Sequence, residues 1–293
     1  MATANGRKGN GAVNYFKPED AVIKSVTKFT DSISFIRLSF SDADRQKNFS
    51  HKPGQFIMLS LFGIGEIPVS ISSPPENKKE IELTVRSVGR VTNFLKTVKR
   101  GSIVGLRGPY GNGFPTDRME GHNVILVAGG LGIAPLRSLF YHMISSKTGA
   151  GRYGKIILLY GAKNEKELLF LDEFEKIAEN TDGRDISLKL IVNSDFSGKY
   201  KDRTGFVTDF IDKIDVEPDK SYGVSCGPPL MFKKAIDIFS GMGFSRERIL
   251  LSLERRMECG IGVCAHCAIG YKLTCIDGPI FNYYDALSLP EMI

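Results

Sequence analysis

The chain has no apolar run approaching the roughly 18 residues that a membrane-spanning helix needs, which excludes an integral membrane protein of the helical kind. Its opening, MATANGRKGNGAVNYF, carries two basic residues but no apolar segment behind them. It does not read as a secretory signal, and residues 1–16 are expected to be a flexible leader. The chain also lacks a basic run interleaved with aromatics. Its formal charge of +6 therefore reads as a mixed solvated surface, with a docking face for an acidic partner as the other reading and nucleic acid excluded. Cysteine is scarce and unevenly placed. Cys226 stands alone, whereas Cys259, Cys264, Cys267 and Cys275 fall within one short segment, unlike the dispersed framework of a disulfide-stabilised secreted domain. A tight cluster of this kind suits metal binding in a reducing compartment, and a cytoplasmic location is expected.

At 293 residues the chain is long enough for two domains and a small appendage. From about Ala21 to Arg107 the segments AVIKSVTKF, ISFIRLSF, GQFIMLSLF, IELTVRSV and SIVGLRG alternate β-branched or aromatic residues with polar ones between turn signals, as in a small antiparallel barrel. GRVTNFLKTVKRG interrupts them at helical spacing and ends on Gly101. The pattern changes near Asp117 to Gly121. HNVILVAGGLGIAPLRSLFYHMI runs from a buried strand through a glycine turn into a helix, and strand–helix alternation continues through KIILLYGAK, EKELLFLDEFEKIAE, ISLKLIV, TGFVTDFIDKI and SYGVSCGPPLMFKKAIDIF. Such alternation predicts a doubly wound parallel sheet with helices on both faces. The expected layout is the leader 1–16, a barrel over 17–118, an α/β nucleotide domain over 119–250, and a metal module over 251–293.

The cysteine spacing is C-x4-C-x2-C with a fourth cysteine after seven intervening residues, the opening of a plant-type two-iron pattern. Four thiolates and backbone amides directed at sulfur are what such a centre needs. Gly260 and Gly262 supply the backbone freedom for the loop to wrap it. Zinc is the other reading, with His266 as a substitute ligand or a solvent-facing loop residue. In VAGGLGIAPL, residues Gly129, Gly130, Gly132, Ile133 and Pro135 lie where a parallel strand meets a helix, a place suited to a pyrophosphate or simply a tight connection. SCGPPLM repeats the arrangement with Cys226, Gly227, Pro228 and Met231. There the thiol is either a small buried side chain or a ligand contact. Lys163, Lys199, Lys201 and Arg203 follow strands and are either candidates to meet a nucleotide 2′-phosphate or merely solvated charge.

PVSIS, GRVTNF, GPYGNGF, GGLGIAPL, YGAKN, CGPPLM and the cysteine segment occur in the order found in the ferredoxin–NADP reductase-like superfamily. The chain resembles its iron–sulfur branch over about residues 14–293. That branch includes electron-transfer subunits of dihydroorotate dehydrogenase, B subunits of anaerobic sulfite reductase and gamma subunits of sulfhydrogenases. The resemblance implies a flavin-binding β-barrel, an NAD(P)-binding α/β domain and a C-terminal [2Fe–2S] module held by Cys259, Cys264, Cys267 and Cys275. It implies that FAD lies along Val69 and Ser70, with Arg86, Gly89, Arg90, Val91 and Thr92 at its phosphates. Ile67 stands where the family has an arginine. Tyr110 and Phe114 are placed either to cover the flavin or to pack between domains. The implied function is an electron relay between NAD(P)H, FAD and the cluster, to or from a catalytic partner subunit of sulfite reductase, hydrogenase or dihydroorotate dehydrogenase type. Hydride transfer needs no acid–base triad, so no conventional catalytic residue is assigned. The alternative is a zinc-binding regulatory subunit that senses nucleotides.

Overall fold

The computed structural model describes residues 14–145, 151–181 and 183–289. Most of the expected leader, and the last four residues of the expected metal module, lie outside the described residues. The first sheet comprises β1 (Glu19–Lys28), β2 (Ile33–Phe40), β3 (Phe56–Leu61), β4 (Gly65–Ser70), β5 (Ile81–Arg86) and β6 (Ile103–Tyr110). Helix α1 (Ala43–Asn48) follows β2, begun by the Asp42 carboxylate, which accepts the Arg45 amide at 2.7 Å. Helix α2 (Arg90–Phe94) lies between β5 and β6. All pairings are antiparallel in the order β4-β3-β6-β1-β2-β5, and a bridge between Ile71 and Leu83 joins the two edges into a barrel. The alternation in the sequence turns Ile23, Ile36, Leu38, Ile57, Leu59, Leu83 and Leu106 inward, where all are fully buried. Each such side chain contributes about 2 kcal/mol by leaving water.

Helix α3 (Thr116–Met119) leads into the second sheet. It runs β7 (Asn123–Gly129), α4 (Ile133–Ile144), β8 (Ile156–Ala162), α5 (Leu171–Glu179), β9 (Ile186–Val192), β10 (Ser221–Cys226), α6 (Pro229–Gly241) and β11 (Ile249–Ser252). The strands are parallel in the order β9-β8-β7-β10-β11, so the direction of winding reverses between β7 and β10. A crevice opens at the carboxyl ends of strands where such a reversal occurs. Helices α4 and α5 pack on one face of the sheet and α6 on the other, each over its own apolar cluster.

The segment TGFVTDFIDKI, spaced for a helix, forms only a 3-10 turn at Val207–Phe210. Its bonds run from Asp209 to Phe206, Ile211 to Thr208 and Ile214 to Ile211, each three residues back. In EKELLFLDEFEKIAE the helix starts only at Leu171, because Phe170 takes the left-handed conformation at φ 58°.

After β11 come two-residue strands β12 (Ala268–Ile269) and β13 (Lys272–Leu273), then β14 (Ile280–Asn282) and α7 (Tyr283–Ala286). Strand β14 returns antiparallel to β11, so the segment expected as a separate module shares both its ends with the nucleotide sheet. Among the described residues no helix is long and apolar enough to cross a membrane.

Barrel and α/β domain are joined through α4. Arg137, 5% exposed, donates to the Ser72 carbonyl at 3.0 Å, to Glu82 at 2.6 Å and to Glu173 at 2.9 Å. Beside it the Ser138 hydroxyl donates to the Ser73 carbonyl at 2.7 Å. The same carbonyl accepts from His51 Nε2 at 3.0 Å. Burial holds the His51 imidazole down at about 4, against the pull of the Ser73 carbonyl and of Glu76. Between pH 6.5 and 4 the unfolded chain therefore binds a proton that the folded chain excludes, and stability falls as pH drops through that window. Wild type should lose up to about 3 kcal/mol through this group. A His51→Gln variant should show a correspondingly shallower decline in its urea midpoint. Equal slopes would remove His51 as the cause.

Candidate functional site

The turn after β7 and the turn after β10 meet at the reversal point. A Cβ added to Gly129 would lie 2.7 Å from Met231 Sδ and 2.9 Å from Pro228 Cδ, and one added to Gly227 would lie 3.1 Å from Gly129 Cα. Gly130 adopts φ +54°, a left-handed turn that aims the chain into α4. Ile133 and Pro135 are buried in the first turn of α4, where a proline forfeits no internal hydrogen bond. Pro228 caps α6, whose first residue is Pro229. The structure thus brings Gly129 and Gly132 against the turn formed by Cys226, Gly227, Pro228 and Met231, with Gly130, Ile133 and Pro135 adjoining them in the chain. The Cys226 thiol is 1% exposed. Burial pushes it well above the usual thiol range, the nearby Glu254 adds to that, and a hydrogen bond with Ser252 opposes it.

Across the crevice stands Arg86, at the exposed end of β5. Its Nη2 lies 3.7 Å from a Cβ built on Gly130, and Glu254 is within its electrostatic reach. Arg86, Lys163, Thr30, Asp31, Ser32 and Glu167 line a cleft of about 340 Å³ between the domains. The other cations named from sequence lie further along: Lys199 pairs with Glu175 at 2.6 Å, and the Arg203 guanidinium lies 5.3 Å from the Tyr200 ring centre. Glu254 was not legible as a site residue, because nothing in its local pattern marks it.

The remaining barrel residues divide. Val69 is turned into the barrel core, which puts Ser70 on the opposite face of the strand by the two-residue period. Gly89 begins α2 with open space around it, and Arg90 is exposed while Val91 is half-buried. The Thr92 hydroxyl is already engaged in its own turn: it accepts the amides of Val88 at 2.9 Å and Gly89 at 2.8 Å and donates to the Gly89 carbonyl. Arg86, Gly89 and Arg90 are thus the accessible members of this set. Phe114, 1% exposed, packs in the core of the α/β domain, and Tyr110 packs beside the cysteine loop.

In that loop Gly260, Gly262 and Ala265 adopt positive φ of 73°, 76° and 59°. The wrapping aims amides at sulfur. Ile261, Val263 and Cys264 donate to Cys259 Sγ at 3.4 to 3.5 Å, and Gly262 donates to Cys275 Sγ at 3.2 Å. The thiols meet in twos. Cys264 is held below the usual thiol range by the His266 amide and by Cys259, and Cys275 is pushed up to about 12 by burial and by Cys267. Among the described residues no three cysteine, histidine or acidic side chains converge as ligands of one ion. Two thiols for each of two irons, with amides on the sulfurs, is the donor set of a binuclear cluster, so the residues fit that group. His266 is exposed.

Three family descriptions match in chain order: an oxidoreductase FAD-binding domain over residues 21–114, an oxidoreductase NAD-binding domain over 126–237, and the iron–sulfur cluster binding domain of dihydroorotate dehydrogenase B over 254–286. Fold and site therefore define an oxidoreductase subunit that relays electrons among FAD, NAD and an iron–sulfur cluster. The Pyrococcus furiosus sulfhydrogenase 2 gamma subunit is 41% identical over 96% of this chain and 100% of its own length. A probable dihydroorotate dehydrogenase B electron-transfer subunit from the same organism is 38% identical over 78% of this chain and 79% of its own. The chain belongs to this family of sulfhydrogenase gamma and dihydroorotate dehydrogenase electron-transfer subunits. A solved NADH-dependent reduced ferredoxin–NADP oxidoreductase, described for flavin-based electron bifurcation, superposes with TM-score 0.70 at 25% identity, covering 94% of this chain and 90% of that one. Neisseria gonorrhoeae ferredoxin NADP+ reductase, solved with FAD and NADP, superposes with TM-score 0.66 at 17% identity over 80% of this chain and 98% of that one, a likeness of fold.

Proposed function

We propose that this chain is the nicotinamide-dependent subunit of a hydrogenase-type complex working in the cytoplasm, passing electrons to or from a catalytic partner. The observation that carries this reading is the contact of the two glycine turns beneath Arg86 of the barrel, with the cysteine loop packed on barrel strands β3 and β6. The match to the sulfhydrogenase gamma subunit over nearly the whole chain favours a hydrogenase partner over a dihydroorotate one. Gly129 to Pro135 and Cys226 to Met231 form the nicotinamide-nucleotide site, where the amides at the start of α4 receive phosphate. Ser70, Arg86, Gly89 and Arg90 belong to the FAD site, with Val69 shaping it from within the barrel. Cys259, Cys264, Cys267 and Cys275 hold the cluster. When bound, the flavin supplies the conversion between two-electron and one-electron transfer. The chain's own part is to hold these groups close and to keep water from the buried Cys226 end of the crevice.

The test is anaerobic purification, a visible spectrum with iron and zinc analysis, and addition of NADH or NADPH separately. A yellow-brown protein with about two irons per chain, bleached by one of the nucleotides, is expected. A colourless protein containing zinc would return the regulatory reading.

A further inference from the structure

Arg107, on β6, is a buried cation, its side chain 3% exposed. Its Nη1 and Nη2 both donate to the Cys259 carbonyl at 3.1 Å. Nη1 also donates to the Tyr15 carbonyl at 3.1 Å and lies 3.4 Å from the Tyr110 hydroxyl. On its other side the guanidinium forks onto Glu66 of β4, through Nε to Oε1 at 2.9 Å and Nη2 to Oε2. Glu66 Oε1 accepts in addition from Ser60 at 2.6 Å. Around this group Phe56, Met58 and Met257 pack with Cys267 and Cys275 in one apolar cluster. In a poorly solvated setting a charge acts strongly on its neighbours. The fork is therefore more than a tie. It puts a positive charge directly against the carbonyl of one cysteine of the loop and a negative charge one side chain further out.

We propose that Arg107 and Glu66 are a positioning pair that sets the reduction potential of the cluster: the guanidinium fixes the loop on the barrel through Cys259 and favours the reduced, more negative cluster, and Glu66 limits that effect. The proposal rests on the assignment of the cluster to the four cysteines. Cluster reduction adds one electron and no bond changes. Hydrogen bonds and nearby charge are among the factors that set the potential of such centres. Neutralising Glu66 leaves the guanidinium uncompensated and should make the cluster easier to reduce. Removing the guanidinium while keeping Glu66 should make it harder.

The experiment is a mediated redox titration of the intact protein, followed by electron paramagnetic resonance, on wild type, Glu66→Gln and Arg107→Met, with iron content measured in parallel. Glu66→Gln keeps an oxygen for Arg107 and Ser60. Its reduced-to-oxidised ratio at fixed potential should rise about tenfold, about 59 mV for a one-electron couple. Arg107→Met should shift in the opposite direction. Opposite signs are the signature, because a merely structural role would lower iron content without separating the two variants in sign. If Arg107→Met loses its iron, Glu66→Gln alone decides: a rise supports the pair, and an unchanged or lowered potential with iron retained overturns it. Wild type lacking a cluster altogether would instead overturn the assignment of the cysteines, and with it the basis of the pair.

Discussion

Replacing Cys264 by Ser is expected to abolish the cluster while leaving flavin reduction by the nicotinamide nucleotide within about twofold of wild type. The geometry makes the loss local. Cys264 lies half-exposed in a loop whose backbone is already committed by Gly260, Gly262 and Ala265 to the turns that aim amides at sulfur. A hydroxyl is a poor substitute for a thiolate toward iron, and one of four ligands would be missing. The loop's ends are fixed independently, by β11 on one side and by β14, paired to β11, on the other. The turns at Gly129 and Cys226 belong to different strands and keep their mutual contact. Iron should fall from about two per chain toward zero, and electron delivery to a one-electron acceptor that takes its electrons from the cluster should fall by about a hundredfold or more. Concurrent loss of bound flavin, or of its reduction, would show that loop and crevice are not separable and would sink the relay as drawn.

Much of this architecture is legible in the sequence because its signals are local. The alternation in ISFIRLSF and GQFIMLSLF corresponds to strands β2 and β3, the glycine turn of VAGGLGIAPL joins β7 to α4, and the cysteine spacing falls in one loop. What stays hidden depends on groups remote in sequence. Arg107 and Glu66 are 41 residues apart, and Arg107 and Cys259 are 152 apart. Arg137 lies on a helix whose other residues are mostly apolar, and its carboxylate partners Glu82 and Glu173 lie on two other elements. No periodicity reports a buried ion pair of that kind. The apolar spacing of TGFVTDFIDKI correctly marks Val207, Phe210 and Ile211 as buried but not the type of turn they form. Spacing records which side chains face inward. It does not record whether the hydrogen bonds reach three residues back or four. The return of β14 to the sheet is equally invisible, since three residues carry too little pattern.

Gly132→Ala should be the most damaging single-methyl change in the α/β domain. Gly132 has φ −59° and ψ −12°, a conformation any residue adopts, so the demand for glycine here is one of contact and not of dihedral. A Cβ at this position would lie 2.1 Å from the Cys226 carbonyl oxygen and 2.4 Å from its carbon. Both are backbone atoms of β10, held in register by pairing with β7 and β11, so they cannot swing aside as the end of a side chain would. Relief requires the glycine turn and the Cys226 turn to separate, which is the contact that forms the crevice. The cost should reach about 3 kcal/mol, the upper end of ordinary overpacking, and nucleotide-dependent flavin reduction should fall more steeply than flavin content. Gly241→Ala, at the last turn of α6, provides the contrast. Nothing lies within 4 Å of a Cβ there and its φ is not in the left-handed range, so the same substitution should stabilise by up to about 1 kcal/mol through helix propensity. Urea midpoints for the two variants should therefore move in opposite directions. A Gly132→Ala protein with wild-type midpoint and wild-type reduction by nucleotide would mean that the two turns do not need to touch, and the crevice would have to be placed elsewhere.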